Sequence, residues 1–104
     1  MIEQIFQMSS SQTHVIEAVI KDENLHYMHM VLLGGEALPT HVTNAVVYMA
    51  VIAGTLSIRL ADGDFAVYER GTILKIPEGI EMDARNKQNN TLELTVVKAP
   101  PPQK

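Results

Sequence analysis

Residues 71–86 read GTILKIPEGIEMDARN, and their pattern is the clearest guide to the architecture of the chain. A β-branched run leads into Pro-Glu-Gly, and a strictly alternating run follows from Ile80 to Asn86. Successive residues of a β-strand point to opposite faces of the sheet, so the charged side chains of this run share one face. The other face looks into a core. Its residues are Ile80, Met82, Ala84 and Asn86.

On both sides of this stretch the chain repeats the same pattern of short β-branched segments separated by turn residues at intervals of about ten. We predict strands at residues 13–21, 25–33, 46–53, 55–60, 65–68, 72–76, 80–86 and 91–98, with a further strand at 2–6. Asp62-Gly63 lies between two alternating runs and predicts a hairpin closed by a two-residue type I′ turn. Helix signals are nearly absent, so the pattern is typical of an all-β sandwich or barrel.

The glycines and prolines of residues 35–86 resemble the two sequence motifs of the cupin superfamily of small β-barrels. The first motif is G-x5-H-x-H-x3,4-E-x6-G and the second is G-x5-P-x-G-x2-H-x3-N. The matching residues are Gly35, His41 and Gly54 in the first motif and Gly71, Pro77, Gly79 and Asn86 in the second. The resemblance implies an all-β, single-domain cupin, which is a double-stranded β-helix or jelly-roll barrel of about eight or nine strands.

In metal-binding cupins, two His and one Glu of the first motif and the His of the second hold one divalent ion. Of these four positions only the first keeps its residue here, as His41, and the other three are Thr43, Val47 and Met82. Transition metal ions prefer nitrogen and oxygen ligands, and these three side chains offer none of comparable strength. We therefore predict that the protein has no metal cofactor at the usual cupin position.

The side chains at these positions predict a mostly apolar pocket with a few polar groups, which is the usual form of a small-molecule site. Side chains that simply fill the barrel are an equally open alternative. The predicted ligand-binding residues are His41, Thr43, Tyr27, His29, Val47, Met49, Met82 and Asn86. The predicted function is binding of a small, largely apolar molecule in the barrel by a metal-free or weakly metal-binding cupin.

The run Leu25-His-Tyr-Met-His-Met30 contains a second set of donors. His26 and His29 lie on opposite faces of the predicted strand, so only one of them looks into the barrel. If that residue is His29, it would join His41 and Met82 in a site for copper or a divalent transition metal. The protein would then be a metal-dependent enzyme, of the isomerase or dioxygenase type common among cupins. A strand with one buried and one exposed His, and no metal, is the favoured alternative.

The composition narrows the classes of partner. With 8 Lys+Arg against 12 Asp+Glu and a net charge of −4, the chain lacks the basic surface that nucleic acids and anionic membranes require. The longest apolar run, residues 45–53, is far shorter than the ~20 residues that cross a bilayer. No secretory signal is visible at the start, so we expect a cytoplasmic location. Glu17, Glu36 and Glu93 have no evident partner and are expected on solvated faces.

The run AVVYMAVIA at residues 45–53 is apolar on both faces, and a lone barrel would leave one face in water. Exposed apolar patches of this kind mark interfaces. We therefore expect a homodimer that uses Tyr48, Ala50 and Ile52, although the first strand or the tail could instead fold back over this face. The predicted organisation is an N-terminal strand and linker at 1–12 that is exchanged between protomers, a cupin barrel at 13–99 and a Pro-rich tail at 100–104.

Overall fold

A computed structural model describes residues 2–10 and 13–102, and the ends of the predicted N-terminal segment and of the tail lie outside these ranges. Within them the chain forms nine β-strands and no helix. The strands are β1 (Val15–Lys21), β2 (His26–Leu32), β3 (His41–Val42), β4 (Val47–Ala53), β5 (Thr55–Leu60), β6 (Ala66–Glu69), β7 (Ile73–Ile76), β8 (Glu81–Arg85) and β9 (Leu92–Lys98). In the described part of the chain, membrane-spanning helices are accordingly absent.

The strands form two antiparallel sheets. One sheet has the strand order β1-β2-β9-β4-β7 and the other has the order β3-β8-β5-β6. Sequence neighbours such as β1 and β2 pair directly, whereas β4 pairs with β9 and β5 pairs with β8 across long connections. This is the crossover pattern of a jelly-roll barrel, and the prediction of an all-β fold is confirmed.

Eight of the predicted strands are present, with ends shifted by at most two residues. The predicted strand at 2–6 is wrong, because the described segment 2–10 pairs with no strand. The two-residue strand β3 was missed because two residues are too few to alternate. The hairpin of β5 and β6 is confirmed by the pair Ser57↔Val67. Its type I′ turn is wrong, because residues 61–65 join the strands and the positive φ of 52° belongs to Ala61.

The two sheets enclose an apolar core that fills the barrel. Alternate residues of β4, β5, β8 and β9 point into it, and each fully buried aliphatic side chain stabilises the fold by about 1.5–3 kcal/mol. The core residues are Leu32, Leu38, Val47, Met49, Val51, Leu56, Ile58, Ile76, Met82, Ala84, Leu92, Leu94 and Val96.

Gly54 joins β4 to β5 with a φ of +83°. A Cβ atom at this position would collide with the backbone carbonyl oxygen of Thr91, so both the conformation and the space require glycine. This explains the last glycine of the first motif in terms of backbone geometry.

The first strand contains a β-bulge near its end. Ala18 pairs with Met28 and Ile20 pairs with Tyr27, so one residue between them has no partner. The bulge changes which residues face the barrel: Lys21 pairs with His26 and lies on the same face as Ala18, although an uninterrupted strand would place it on the opposite face.

Candidate functional site

His41 is the first residue of β3, and its Cα lies opposite that of Met82 in β8. The side chain is exposed at the edge of the four-stranded sheet. Its Nδ1 donates a hydrogen bond to the carbonyl oxygen of Pro39 at 2.8 Å. The exposed side chain and this local hydrogen bond show that His41 is not part of the buried interior.

Thr43 occupies the second His position of the first motif, and its side chain stabilises a turn. Its Oγ1 donates to the carbonyl oxygen of Pro77 at 2.7 Å and accepts the amide of Ile80 at 3.0 Å. The Thr43 carbonyl also accepts the amide of Gly79 at 2.9 Å. The hydroxyl is therefore committed to the Pro-x-Gly turn of the second motif and is not free to hold a ligand.

Val47, Met49 and Met82 are all buried in the core, with exposures of 2%, 0% and 4%. Val47 and Met82 occupy the Glu and second-motif His positions, so two of the four cupin ligand positions are filled by packed apolar side chains. In residues 2–10 and 13–102 no group of three or more His, Cys, Asp or Glu is arranged to hold a metal ion. The residues present therefore do not fit the divalent ion of the cupin motif.

Asn86, the last residue of the second motif, is also buried. Its Nδ2 donates to the carbonyl oxygens of Leu32 at 3.0 Å and Asn90 at 2.7 Å, and its Oδ1 accepts the amide of Gln88 at 3.0 Å. The side chain thus ties the loop before β9 to the end of β2. Both Nδ2 and Oδ1 of Asn86 are therefore engaged in structural hydrogen bonds.

Tyr27 and His29 lie on the outer face of the five-stranded sheet. The neighbouring Met28 and Met30 of β2 pack against the core, so the odd-numbered residues between them point away from it. The N-terminal segment covers part of this face, where Phe6 and Tyr27 both line a cavity of about 300 Å³. His29 therefore cannot meet His41 and Met82, and the alternative metal site built from these three residues is not assembled.

His29 is completely buried between two carboxylates. Its Nδ1 lies 2.7 Å from Glu17 Oε2 and its Nε2 lies 2.6 Å from Glu93 Oε2. Burial by itself lowers the pKa of His29, but the hydrogen bonds and charges of the two glutamates outweigh it and raise the pKa above its ordinary value. The hydrogen bond from His29, together with one from the Ser9 amide, lowers the pKa of Glu17.

The expectation that Glu17, Glu36 and Glu93 lie unpartnered on solvated faces is wrong. Glu17 and Glu93 hold His29, and Glu36 accepts the amide of Leu33 at 2.7 Å. Alternation places Glu17, His29 and Glu93 on the outer face of three separate strands. Only the strand order β1-β2-β9 brings them together, and the sequence carries no signal for that order.

A cleft of about 570 Å³ opens at one end of the barrel, beside the first motif. This volume lies within the range of about 300–1,000 Å³ typical of small-molecule sites. Asn44, which lines it, follows Thr43, and Lys98, which also lines it, is the cross-strand neighbour of Val47. The full lining consists of the apolar residues Ala18, Met28 and Pro102 and the polar residues Lys21, His26, Asn44 and Lys98.

None of the predicted ligand-binding residues lines this cleft. One signal for it was present in the sequence: Leu92, Leu94 and Val96 alternate into the core, and the next residue on the same face is Lys98. A lysine at the end of an apolar row marks the place where the barrel opens to water.

Comparison with known proteins agrees with this fold. No family model matches the chain. The chain is 33% identical over 105 residues to the uncharacterized protein MJ0764 of Methanocaldococcus jannaschii, and the match spans 100% of the chain and 90% of that protein. The crystal structure of MJ0764, described as an RmlC-like cupin family protein with a double-stranded β-helix fold, superposes with a TM-score of 0.92, covering 96% of this chain and 93% of that one.

More distant structures share the fold. The protein TT1209 of Thermus thermophilus has 24% identity and a TM-score of 0.76, covering 92% of this chain and 91% of that one. A conserved protein of Klebsiella pneumoniae with a double-stranded β-helix domain has 18% identity and a TM-score of 0.77, covering 90% of this chain and 82% of that one. With the motif spacings and the two-sheet barrel, these likenesses show that the chain belongs to the RmlC-like cupin family.

Proposed function

We propose that this cupin binds a small, largely apolar molecule without a metal ion, and that the molecule occupies the cleft at the end of the barrel. The observation that supports this most directly is the position of the cleft, whose residues Asn44 and Lys98 adjoin two of the positions that hold the ion in metal-binding cupins. Its surface combines an apolar part, Ala18 and Met28, with a few polar groups, which is the usual composition of a small-molecule site.

The ligand is proposed for this cleft rather than for the centre of the barrel. Val47, Met49 and Met82, which were expected to line a central pocket, are packed in the core. A metal-dependent isomerase or dioxygenase is the weaker candidate, because His29 is held outside the barrel by Glu17 and Glu93.

The test is a fluorescence titration with N-phenyl-1-naphthylamine, a neutral apolar dye, in excess EDTA. We expect saturable binding that Ala18→Phe weakens at least tenfold, because the new ring fills the cleft. Val67→Phe places the same phenyl ring on the exposed outer face of the four-stranded sheet, away from the cleft, and is the control. Binding that is unsaturable, or equal in the two variants, would refute the cleft as the site. Binding that is seen in a parallel titration without EDTA but is absent in excess EDTA would refute metal independence.

We also propose that two copies associate through the outer face of β4 and β7. Tyr48 and Ile52 of β4 are 36% and 43% exposed, and Ile73 of β7 is 69% exposed, so the described residues 2–10 leave this part of the sheet uncovered. Ala50 lies between Tyr48 and Ile52 on the same face. Exposed neighbouring apolar side chains of this kind favour an interface.

Light scattering after gel filtration tests this proposal. The wild-type chain is expected to elute with twice the mass of one chain and Ile52→Glu with the mass of one. Val67→Glu, on the other sheet, is the control and should stay dimeric. Exchange of the N-terminal segment between protomers remains a prediction, and deletion of residues 1–10 would test it by lowering the dimer affinity. A monomeric wild-type protein would overturn both.

A further inference from the structure

Each of three neighbouring strands places a basic residue at the cleft. Among the residues that face the barrel, Lys21 is the last of β1, His26 is the first of β2 and Lys98 is the last of β9. These three are direct cross-strand neighbours, Lys21↔His26 and His26↔Lys98. The bulge in β1 is what brings Lys21 onto this face. The cleft therefore has a row of basic side chains along one side, within a chain whose net charge is −4.

No acidic residue among the described ones balances this row inside the cleft. The lining contains no carboxylate, and none of the three basic residues is in an ion pair within the described part of the chain. Asp22, which adjoins Lys21, uses its Oδ1 to accept the amides of Asn24 and Leu25. These two hydrogen bonds and, less strongly, the charge of His26 lower the pKa of Asp22, which lies in the β1–β2 turn and does not line the cleft.

Lys98 is the member of the row that most needs a counter-charge. Its Nζ donates to Asn44 Oδ1 at 3.1 Å, a neutral acceptor. Partial burial lowers the pKa of Lys98, because the ammonium group has lost water without gaining a carboxylate. Removing a charge from water is costly unless an opposite charge or several hydrogen bonds replace the water.

We infer that the cleft selects a molecule that carries an oxyanion, a carboxylate or a phosphate monoester, on a small apolar body. The inference rests on the proposed function and names the chemical class of its ligand. The oxyanion would accept hydrogen bonds from Lys98, Lys21 and His26, and the apolar body would lie against Met28 and Ala18. Charge-assisted hydrogen bonds of this kind are roughly twice as strong as neutral ones.

Isothermal titration calorimetry with three eight-carbon probes tests the inference on the whole chain. The probes are octanoate, octyl phosphate and the neutral octanamide, which matches octanoate in size. We expect octanoate or octyl phosphate to bind about ten- to a hundred-fold more tightly than octanamide, which is the ratio that one charge-assisted hydrogen bond produces. The tighter of the two anions identifies the carboxylate or phosphate source.

Variants locate the anion. Lys98→Met is expected to remove at least nine-tenths of the preference for the anion over octanamide, and Lys21→Gln to reduce it by a smaller factor. Lys87→Met removes one positive charge from a lysine that stands over the Phe65 ring, outside the cleft lining, and should leave the preference unchanged. If Lys98→Met does not fold, Lys21→Gln carries the same test.

The two proposals fail in different ways. Equal affinity for octanoate and octanamide, or a preference that survives in both lysine variants, overturns the anion inference and leaves binding of an apolar molecule standing. Tight binding of the anions without any binding of the neutral dye overturns the apolar proposal and leaves only the oxyanion part of the inference standing. No measurable binding of octanoate or octyl phosphate overturns the anion inference.

Discussion

Replacing His29 by Leu should destabilise the protein substantially, because the ring is completely buried and bridges two carboxylates. Removing one partner of a buried charged group typically costs about 3–5 kcal/mol. The side chains of Glu17 and Glu93 are each 31% exposed and can regain some water, so we expect a loss near the lower end of that range. Each kcal/mol lowers the Tm of a domain of this size by about 4–8 °C.

The loss of stability in His29→Leu should depend on pH, and the pKa of His29 determines whether it grows or shrinks as the pH rises. Folding raises this pKa above its ordinary value of about 6.5, so protonation of His29 stabilises the folded state. That stabilisation is complete below the unfolded pKa and disappears as the pH rises through the folded pKa. Glu17 affects stability at acid pH, because folding lowers its pKa. Ionised Glu17 stabilises the fold above the unfolded pKa, and this stabilisation is lost as the pH falls through the folded pKa.

Urea unfolding of the wild-type and His29→Leu proteins at pH 6 and pH 9 measures both effects, and the difference between the two proteins should narrow at pH 9. The control is His14→Leu, because His14 also pairs with a glutamate, Glu36, at 2.9 Å, but at an exposed site. Exposed pairs contribute about 0–1 kcal/mol. A loss in His29→Leu no larger than that of the control, or a difference between the two proteins that grows with pH, would contradict this account of His29. If His29→Leu does not fold, His29→Gln is measured instead.

Substitutions at three further positions test the structural roles of the cupin motif residues. Thr43→Val leaves the Ile80 amide without its acceptor and should cost about 1–3 kcal/mol in urea unfolding, whereas Thr43→Ser should retain most of the stability; an unaffected Thr43→Val would show that the turn does not need the hydroxyl. Gly71→Ala imposes a residue with a Cβ at a φ of +94° in open space and should cost about 1–2 kcal/mol. Gly54→Ala adds the collision with Thr91 and should cost clearly more, so equal losses at the two glycines would contradict the explanation.

Most of the barrel could be predicted from the sequence because alternation is a local property. The run from Ile80 to Asn86 placed Met82 and Ala84 in the core, and both are buried there. The spacing of glycines and prolines then indicated the cupin fold. Strand β3 escaped because it has only two residues and is held by its partner β8 rather than by its own pattern.

The site could be predicted only in part, because it depends on which strands are neighbours and on which face a residue reaches. His29 meets Glu17 and Glu93, which are 12 and 64 residues away, through a strand order that no local pattern reveals. The cleft depends on Lys21, and the bulge in β1 reverses the face that simple alternation assigns to it. The roles of Thr43 and Asn86 were hidden for a third reason, since their polar groups hold loops whose partners are distant in the sequence.

The bulge in β1 also protects the protein from unwanted strand addition. β1 is an edge strand of the five-stranded sheet, and the free amide and carbonyl groups of such an edge are a template on which another chain can extend the sheet. The unpaired residue between Ala18 and Ile20 interrupts the regular spacing of those groups, so an incoming strand cannot continue its ladder past that point. The same irregularity that turns a lysine toward the cleft therefore also hinders polymerisation along this side of the molecule.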